Sequence, residues 1–243
     1  MNTLFWKYKD YNQDDITKII EEFSVPKSIA TIMSLKGINS KKKSRHFFYD
    51  DINSLHDPLL MKDMKKGINR IMQAKENNEL ILIIGDYDTD GTTAASILFL
   101  YFKSLGLDVE YYIPNRQTEG YGISIASIDY AIKIGATLAI SCDCGITAIE
   151  QIQYAKDHHI DFIITDHHKP KDNLPKAFAI LNPNQIDCNY PFKGLCGAGV
   201  AFKFCIAINN KLNLDNANIW KYSDLVAIAT TADVMPVIDE NRI

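Results

Sequence analysis

Three aspartates follow one apolar segment at alternate positions of the chain. Residues 80–84 are apolar, and the six residues from Asp86 to Gly91 read Asp-Tyr-Asp-Thr-Asp-Gly. Alternate side chains of an extended segment point the same way, so Asp86, Asp88 and Asp90 can converge just beyond a strand. Closely packed carboxylates repel one another unless a cation lies between them, and hard divalent ions such as Mg²⁺ and Mn²⁺ prefer oxygen ligands. The motif therefore predicts a divalent metal site.

Side chains that could bind a metal also follow other apolar segments. Asp143 comes directly after residues 137–142, Asp166-His167-His168 follows residues 161–165, and Asp233 comes after the helical stretch 225–229. Mixed Asp and His ligands favour a pair of Mn²⁺ or Mg²⁺ ions bridged by one carboxylate. Such a pair activates water and stabilises the entering and leaving oxygens in phosphoryl hydrolysis. The sequence thus predicts one shared metal site.

The elements that must position these side chains alternate between strand and helix. We expect strands at 80–84, 109–113, 137–142, 161–165 and 177–181, and helices at 61–79, 92–105, 124–134, 146–158, 198–212 and 219–231. This alternation predicts an α/β fold, a mostly parallel open sheet flanked by helices. Ligand sites of such sheets lie beyond the carboxyl ends of the strands. Residues 1–55 have helical apolar spacing and are expected to form a short helical lead-in, followed by a catalytic domain at 56–243.

Two other interpretations of the aspartate motif are weaker. Its opening matches an EF-hand calcium loop, but the twelfth position is Ile97 instead of Glu, and the motif follows an expected strand. It also resembles the nucleophile motif of haloacid-dehalogenase-type phosphatases, in which Asp88 would be phosphorylated and Asp90 would act as acid and base. That interpretation leaves Asp143 and the His pair without a function.

Composition sets limits on the class of protein. Hydrophobic residues make up 47% of the 243 residues and the net charge is −4, which indicates a globular domain without an overall basic character. The five cysteines do not form a disulfide or zinc pattern, so we expect reduced thiols and a cytoplasmic location, with no membrane span. The basic cluster from Lys41 to Arg45 favours a solvated helix start, and phosphate contact is the alternative.

Together these segments resemble the DHH phosphoesterases. The stretches starting at Asp86, Asp143 and Asp166 are similar to motifs I to III of that family, and Ala232-Asp233 is similar to motif IV. Further segments resemble the RecJ group of single-strand-specific exonucleases. These segments are Leu55-His-Asp-Pro-Leu-Leu-Met-Lys-Asp-Met, Pro114-Asn-Arg-Gln-Thr-Glu-Gly-Tyr-Gly and Gly197-Ala-Gly-Val-Ala-Phe. The resemblance extends over nearly the whole chain from about residue 25.

The resemblance implies a role for each matching residue. Asp86 would bind one ion and Asp88 the other, Asp143 would bridge the two, and His167 and Asp233 would complete the ligand shell of the second ion. His168 and Asp90 would be the catalytic residues. In those roles, His168 would lie beside the scissile phosphate, as a ligand or as an electrostatic partner for its oxygens. Asp90, like Asp166, would orient ligands. Candidate substrate contacts are Arg116, Gly197 and Gly199, with a surface arginine and close helix packing as the alternatives. Some relatives carry a metal-binding His where this chain has Leu82, so the first ion would be held more weakly.

The resemblance also implies an activity. We expect metal-dependent 5′-to-3′ exonuclease action on single-stranded DNA, releasing 5′ mononucleotides in DNA repair and recombination. The alternatives are a DHH phosphoesterase acting on short oligonucleotides or cyclic dinucleotides, and a DHH-derived binding module without catalysis. RecJ-like proteins are longer, so the chain is expected to lack the DHH-associated and OB-fold domains. Single-strand-binding protein or a helicase would bind through those domains. This chain would then bind metal but degrade DNA poorly.

Overall fold

The computed structural model describes residue 7 and residues 9–243. The chain divides into two compact units, one ending at Leu55 and one spanning His56–Arg242. The first unit contains three helices: α1 (Gln13–Phe23), α2 (Lys27–Leu35) and α3 (Lys41–Tyr49). Its core consists of buried apolar side chains, namely Ile16, Ile19, Ala30, Met33 and Ile38. The helical spacing seen in the sequence therefore corresponds to the buried face of this unit.

The second unit alternates strands with helices. Its strands are β1 (Ile81–Gly85), β2 (Val109–Tyr112), β3 (Leu138–Cys142), β4 (Asp161–Thr165) and β5 (Ala179–Leu181). Its helices are α4 (Met64–Asn77), α5 (Thr89–Ser104), α6 (Ile125–Ile134), α7 (Ile149–Asp157), α8 (Gly197–Lys211), α9 (Ala217–Trp220) and α10 (Ser223–Ala232). Within residues 7 and 9–243, no helix is both long and apolar enough to cross a bilayer.

The five strands form one sheet in the order β2-β1-β3-β4-β5, and every pair is parallel. The expected α/β class with an open sheet is confirmed. In β1, Ile81 and Ile83 face the core that contains α4, α5 and α8, whereas Leu82 and Ile84 face the core that contains α6 and α7. Helices thus cover both faces, which explains why the strands are almost continuously apolar.

Helix boundaries differ from expectation by up to three residues, as at the starts of α4, α5 and α7, and one expected helix is divided in two. Helix α5 begins at Thr89 instead of residue 92 because Asp88 caps it, its Oδ1 accepting a hydrogen bond from the Gly91 amide. The expected helix 219–231 is divided into α9 and α10, since the backbone leaves helical geometry at Tyr222, which is buried in the core. Neither difference changes the order of the elements.

A buried arginine joins α4 to the strands. Arg70 Nη2 lies 2.6 Å from Glu79 Oε2, and its Nε lies 2.7 Å from Asp161 Oδ2. We expect Arg70→Met to lower the free energy of unfolding by about 3 kcal/mol, because it leaves the mostly buried Glu79 carboxylate without its cation. Urea denaturation measures the loss. The control is Lys75→Met, an exposed change on the same helix. A loss equal to that of the control would contradict the prediction.

Candidate metal centre

The strand register brings the acidic segments to one edge of the sheet. Gly85 pairs with Cys142, and Cys142 pairs with Thr165, so β1, β3 and β4 end level with one another. Asp86, Asp143 and Asp166 each follow within one residue of these ends, and all three are buried. The sheet therefore delivers three carboxylates from distant parts of the chain to one place.

The first group of possible ligands consists of Asp86, Asp88 and Asp143. One carboxylate oxygen from each lies within 4.8 Å of the others. Asp88 stands at the start of α5, where one of its oxygens caps the helix. The resemblance assigns Asp86 and Asp88 to different ions, whereas the geometry groups them around the same point. The division of ligands between two ions stays a prediction.

The second group consists of Asp90, His167 and Asp233, again with one atom from each within 4.8 Å. His167 Nε2 lies 3.7 Å from Asp90 Oδ2 and 3.6 Å from Asp233 Oδ2. The same nitrogen is 3.1 Å from Asp143 Oδ1, so Asp143 lies between the two groups. All five predicted metal ligands are thus brought together. The placement is consistent with a bridging role for Asp143.

Two buried carboxylate oxygens support a cation in this pocket. Among the described residues, Asp86 Oδ2 makes no hydrogen bond, and Asp143 Oδ1 makes none of good geometry although His167 Nε2 lies 3.1 Å away. A buried anionic oxygen without a partner is costly, and it is rare in proteins unless an ion or water completes its shell. With His167 beside them, the donor set is carboxylate and imidazole, which suits Mn²⁺ or Mg²⁺. The residues present therefore fit the divalent ions expected from the sequence.

Asp90 connects the site to helix α8. Its Oδ2 accepts a hydrogen bond from the Gly197 amide at 2.6 Å, and its Oδ1 accepts one from Ala198 at 2.7 Å. These amides are free because they belong to the first turn of α8, whose positive dipole end also favours a carboxylate. Asp90 therefore fixes the start of α8 next to the ligands. A direct catalytic role for Asp90 stays a prediction.

Asp166 orients the histidine pair. Its Oδ1 accepts hydrogen bonds from the backbone amides of His167 and His168 and lies 2.8 Å from His168 Nδ1, while Oδ2 accepts from Ile146. The Tyr121 hydroxyl donates to the Asp143 carbonyl at 3.2 Å and lies 3.4 Å from the His168 ring nitrogens. His168 is half exposed, and one of its ring nitrogens lies within 4.8 Å of a ligand atom of Asp143 and of His167. Its contact with a substrate stays a prediction.

Sequence reasoning missed two asparagines that hold this loop. After β5, Asn182 Nδ2 donates to the His168 carbonyl and Asn184 Nδ2 donates to the His167 carbonyl. The sequence does contain a signal for them, because Asn182 and Asn184 follow β5, which ends level with β4 at the edge of the sheet that carries the site. The residue pattern alone predicts only that the two asparagines follow the end of a strand. Their amides instead fix the backbone of the His pair.

Close approach of backbone to the ligands requires glycine at two helix starts. A Cβ on Gly91 would lie 2.7 Å from the Asp86 backbone nitrogen, and a Cβ on Gly197 would lie 2.5 Å from Asp143 Cβ. Asp143 itself has a φ of 60°, in the left-handed region. Such a backbone persists in a non-glycine residue only where its surroundings hold it. The first turn of α5 thus packs directly against Asp86, and the first turn of α8 packs directly against Asp143.

The two remaining candidate substrate contacts, Arg116 and Gly199, lie in different parts of the fold. The Arg116 guanidinium stacks over the Tyr87 ring at 5.1 Å, so it stands beside the aspartate motif on an exposed segment. A Cβ on Gly199 would lie 3.3 Å from the Leu195 side chain and 3.7 Å from Cys196 Sγ, which are packing contacts. Substrate contact by Arg116, Gly197 and Gly199 stays a prediction. The EF-hand interpretation does not fit, since the motif joins strand β1 to helix α5.

Burial shifts the protonation of these groups when no metal is present. It raises the pKa of Asp86, of Asp90 and of Asp143, and neighbouring carboxylates raise them further. Burial alone would also raise the pKa of Asp166, but its hydrogen bonds from His168 and the backbone lower it. The same contact with Asp166 raises the pKa of His168. The pocket therefore attracts positive charge, either protons or a divalent cation.

These shifts predict how stability depends on pH and metal. A carboxyl whose pKa is higher in the folded chain contributes stability below its unfolded pKa and loses it as the pH rises through the folded value. We expect the metal-free chain to lose about 1–2 kcal/mol between about pH 5 and pH 8, or ~5 °C in melting temperature. Saturating Mn²⁺ should remove most of this loss. Calorimetric melting with and without EDTA measures it, and a rise over that range in EDTA would contradict the prediction.

Most of the chain is similar in sequence to known proteins. The N-terminal domain of the DHH family matches residues 80–230. The single-stranded-DNA-specific exonuclease RecJ of Bacillus subtilis (strain 168) is 37% identical over 238 residues, which is 98% of this chain and 30% of that protein. The chain spans about a third of the length of the first curated relatives that it matches.

Solved structures of RecJ exonucleases are also similar to this chain. A crystal structure of exonuclease RecJ bound to manganese has a TM-score of 0.68 and 32% identity, covering 75% of this chain and 46% of that one. RecJ from Thermus thermophilus in complex with Mn²⁺ has a TM-score of 0.77 and 25% identity, covering 95% of this chain and 32% of that one. Fold and motifs therefore point to one family.

Proposed function

The chain belongs to the DHH family, and from this premise we propose that it hydrolyses phosphodiester bonds of single-stranded DNA from the 5′ end, releasing 5′ mononucleotides. The observation that carries the proposal is the convergence of Asp86, Asp88, Asp143, His167 and Asp233 on one pocket, in which Asp86 and Asp143 are buried. The RecJ relatives, named single-stranded-DNA-specific exonucleases, support the substrate and the class of reaction.

The chain's own residues account for most of the chemistry that this reaction needs. Divalent ions, when bound, supply Lewis acidity that activates water and neutralises charge on the phosphate. Asp86, Asp88 and Asp143 would hold them on one side of the pocket, and His167 and Asp233 on the other. The contact with Asp166 raises the pKa of His168, whose ring would donate an N–H to a phosphate oxygen. Arg116 lies beside Tyr87 and would bind the terminal phosphate.

The wider role is part of the same proposal. Because the chain spans only part of its relatives' length, the activity of the whole protein, its 5′ polarity and its place in DNA repair and recombination are proposed from the family. We also predict from the sequence that the protein is cytoplasmic. Its predicted protein partner is single-strand-binding protein or a helicase. The resemblance to RecJ-like proteins is also the basis for proposing that the whole protein contains a DHH-associated domain and an OB-fold domain.

A product analysis tests the proposal. The chain is incubated with Mn²⁺ and with a single strand labelled at its 5′ or 3′ end, and the products are separated by length. We expect slow, Mn²⁺-dependent release of labelled mononucleotide from the 5′ end and progressive shortening of the 3′-labelled strand. Internal cuts or degradation from the 3′ end would contradict it. Hydrolysis of dinucleotides or cyclic dinucleotides alone would instead support a short-substrate phosphoesterase.

A further inference from the structure

Helix α3 in the first unit divides into a cationic half and an aromatic half. Its sequence, Lys-Lys-Lys-Ser-Arg-His-Phe-Phe-Tyr, contains four permanent cations and no acidic residue. Among these, Lys41 lies 3.7 Å from Glu22, and Lys43 donates to Asn39. Lys42 and Arg45 are exposed and are without an ion pair among the described residues. The first half of α3 therefore presents uncompensated positive charge.

The second half of α3 presents large rings to solvent. Phe48 is 53% exposed and Tyr49 is 78% exposed, although aromatic side chains of this size are usually mostly buried. Phe47 packs against the Phe48 ring edge-to-face at 5.0 Å, which holds the Phe48 ring in place. Two exposed rings adjacent in sequence thus stand within one helical turn of Arg45.

A groove of 690 Å³ lies alongside these residues. It is lined by Phe23, Val25, Ile29, Met33, Lys41, Ser44, Arg45, Phe48 and Tyr49. Its aliphatic and aromatic lining has cations along one side, so it would suit a ligand that combines flat apolar groups with negative charge. Single-stranded nucleic acid has both, because each nucleotide carries a base with two apolar faces and a phosphate.

We propose that this groove, the α3 groove, binds single-stranded nucleic acid. In this arrangement Arg45 from the groove lining contacts a backbone phosphate, and so does Lys42, which lies outside the lining one turn earlier on α3. Tyr49 and Phe48 stack on bases. An acidic peptide would also satisfy the cations. However, an exposed pair of rings next to unpaired cations is the arrangement that base stacking and phosphate binding use together. The proposal concerns the first unit by itself and does not require hydrolysis at the metal centre.

Equilibrium binding of a fluorescent oligothymidylate to the full chain in EDTA tests the proposal. Chelation prevents cleavage, so binding is measured even if the nuclease assignment is wrong. We expect Tyr49→Ala to weaken binding at least about fivefold, and Tyr49→Phe to keep it, because stacking needs the ring and not the hydroxyl. Lys42→Gln with Arg45→Gln should also weaken binding. This double change should lower the slope of log affinity against log salt by about one for each phosphate that is no longer bound.

A matched pair of charges serves as the control. Lys18→Gln with Lys36→Gln removes two exposed lysines from the same unit, and neither residue lines the groove. It should leave both affinity and salt slope close to wild type. The proposal is overturned if wild type does not bind, if the control and groove variants lose affinity equally, or if Tyr49→Ala has no effect. It is also overturned if an acidic peptide displaces the strand at equal concentration. Circular dichroism confirms that each variant is folded.

Discussion

Asp143→Asn is expected to reduce the metal-dependent hydrolysis rate at least about 10³-fold. Asp143 belongs to the first ligand group, and its Oδ1 lies 3.1 Å from His167 Nε2 of the second group. An amide cannot replace the second anionic oxygen, so both sides of the pocket lose charge. A metal contribution of several kcal/mol to transition-state stabilisation corresponds to a loss of this size.

Initial rates at saturating Mn²⁺, together with Mn²⁺ titration by calorimetry, measure the effect of Asp143→Asn. Asp172→Asn is the control, because it makes the same chemical change on an exposed carboxylate away from the strand ends. The control should keep wild-type rate and metal affinity. A folded Asp143→Asn protein whose rate lies within tenfold of wild type would show that this pocket does not perform the reaction.

Gly197→Ala is expected to weaken Mn²⁺ affinity about 10- to 100-fold without removing any ligand. The added methyl group would lie 2.5 Å from Asp143 Cβ, a distance that forces one of the two backbones to move. Asp143 is already held in a left-handed conformation, and the start of α8 is fixed by Asp90, so the shift would displace ligands. Changes of residues that orient ligands have costs of this size.

Gly199→Ala is a closely matched control for Gly197→Ala. It makes the same change on the same helix, two residues further on. Its methyl group would lie 3.3 Å from the Leu195 side chain and 3.7 Å from Cys196 Sγ, and neither residue is a candidate ligand. We expect Mn²⁺ affinity within about threefold of wild type for Gly199→Ala. Equal losses for the two variants would mean that α8 as a whole, and not its contact with Asp143, controls the site.

Much of the fold could be predicted because its signals are local. Each strand is a short apolar segment, and each acidic motif follows directly at its end, so periodicity indicates both the α/β class and the edge that carries the site. The strand order could not be predicted in this way, since it depends on which apolar faces pack together in space. The division into α9 and α10 has the same origin, because it depends on the burial of Tyr222 in the core.

The candidate site was predictable at the level of residue types but not of contacts. Asp86, Asp143 and the His pair are visible because each follows a strand. The link between Asp90 and the amides of Gly197 and Ala198 spans more than a hundred residues of chain, and spacing carries no information about it. The same holds for Asn182 and Asn184, whose function depends on carbonyls that only the folded loop presents.

The spread of the ligands along the chain, from Asp86 to Asp233, has a kinetic consequence. A pocket that needs β1, β3, β4 and α10 in place exists only late in folding, after the distant strands have paired. An ion that recognises this pocket therefore stabilises the native state more than the transition state. Manganese should slow the unfolding limb of a denaturant chevron while leaving the refolding limb almost unchanged. The ion would then slow unfolding of the folded domain and would not speed its folding.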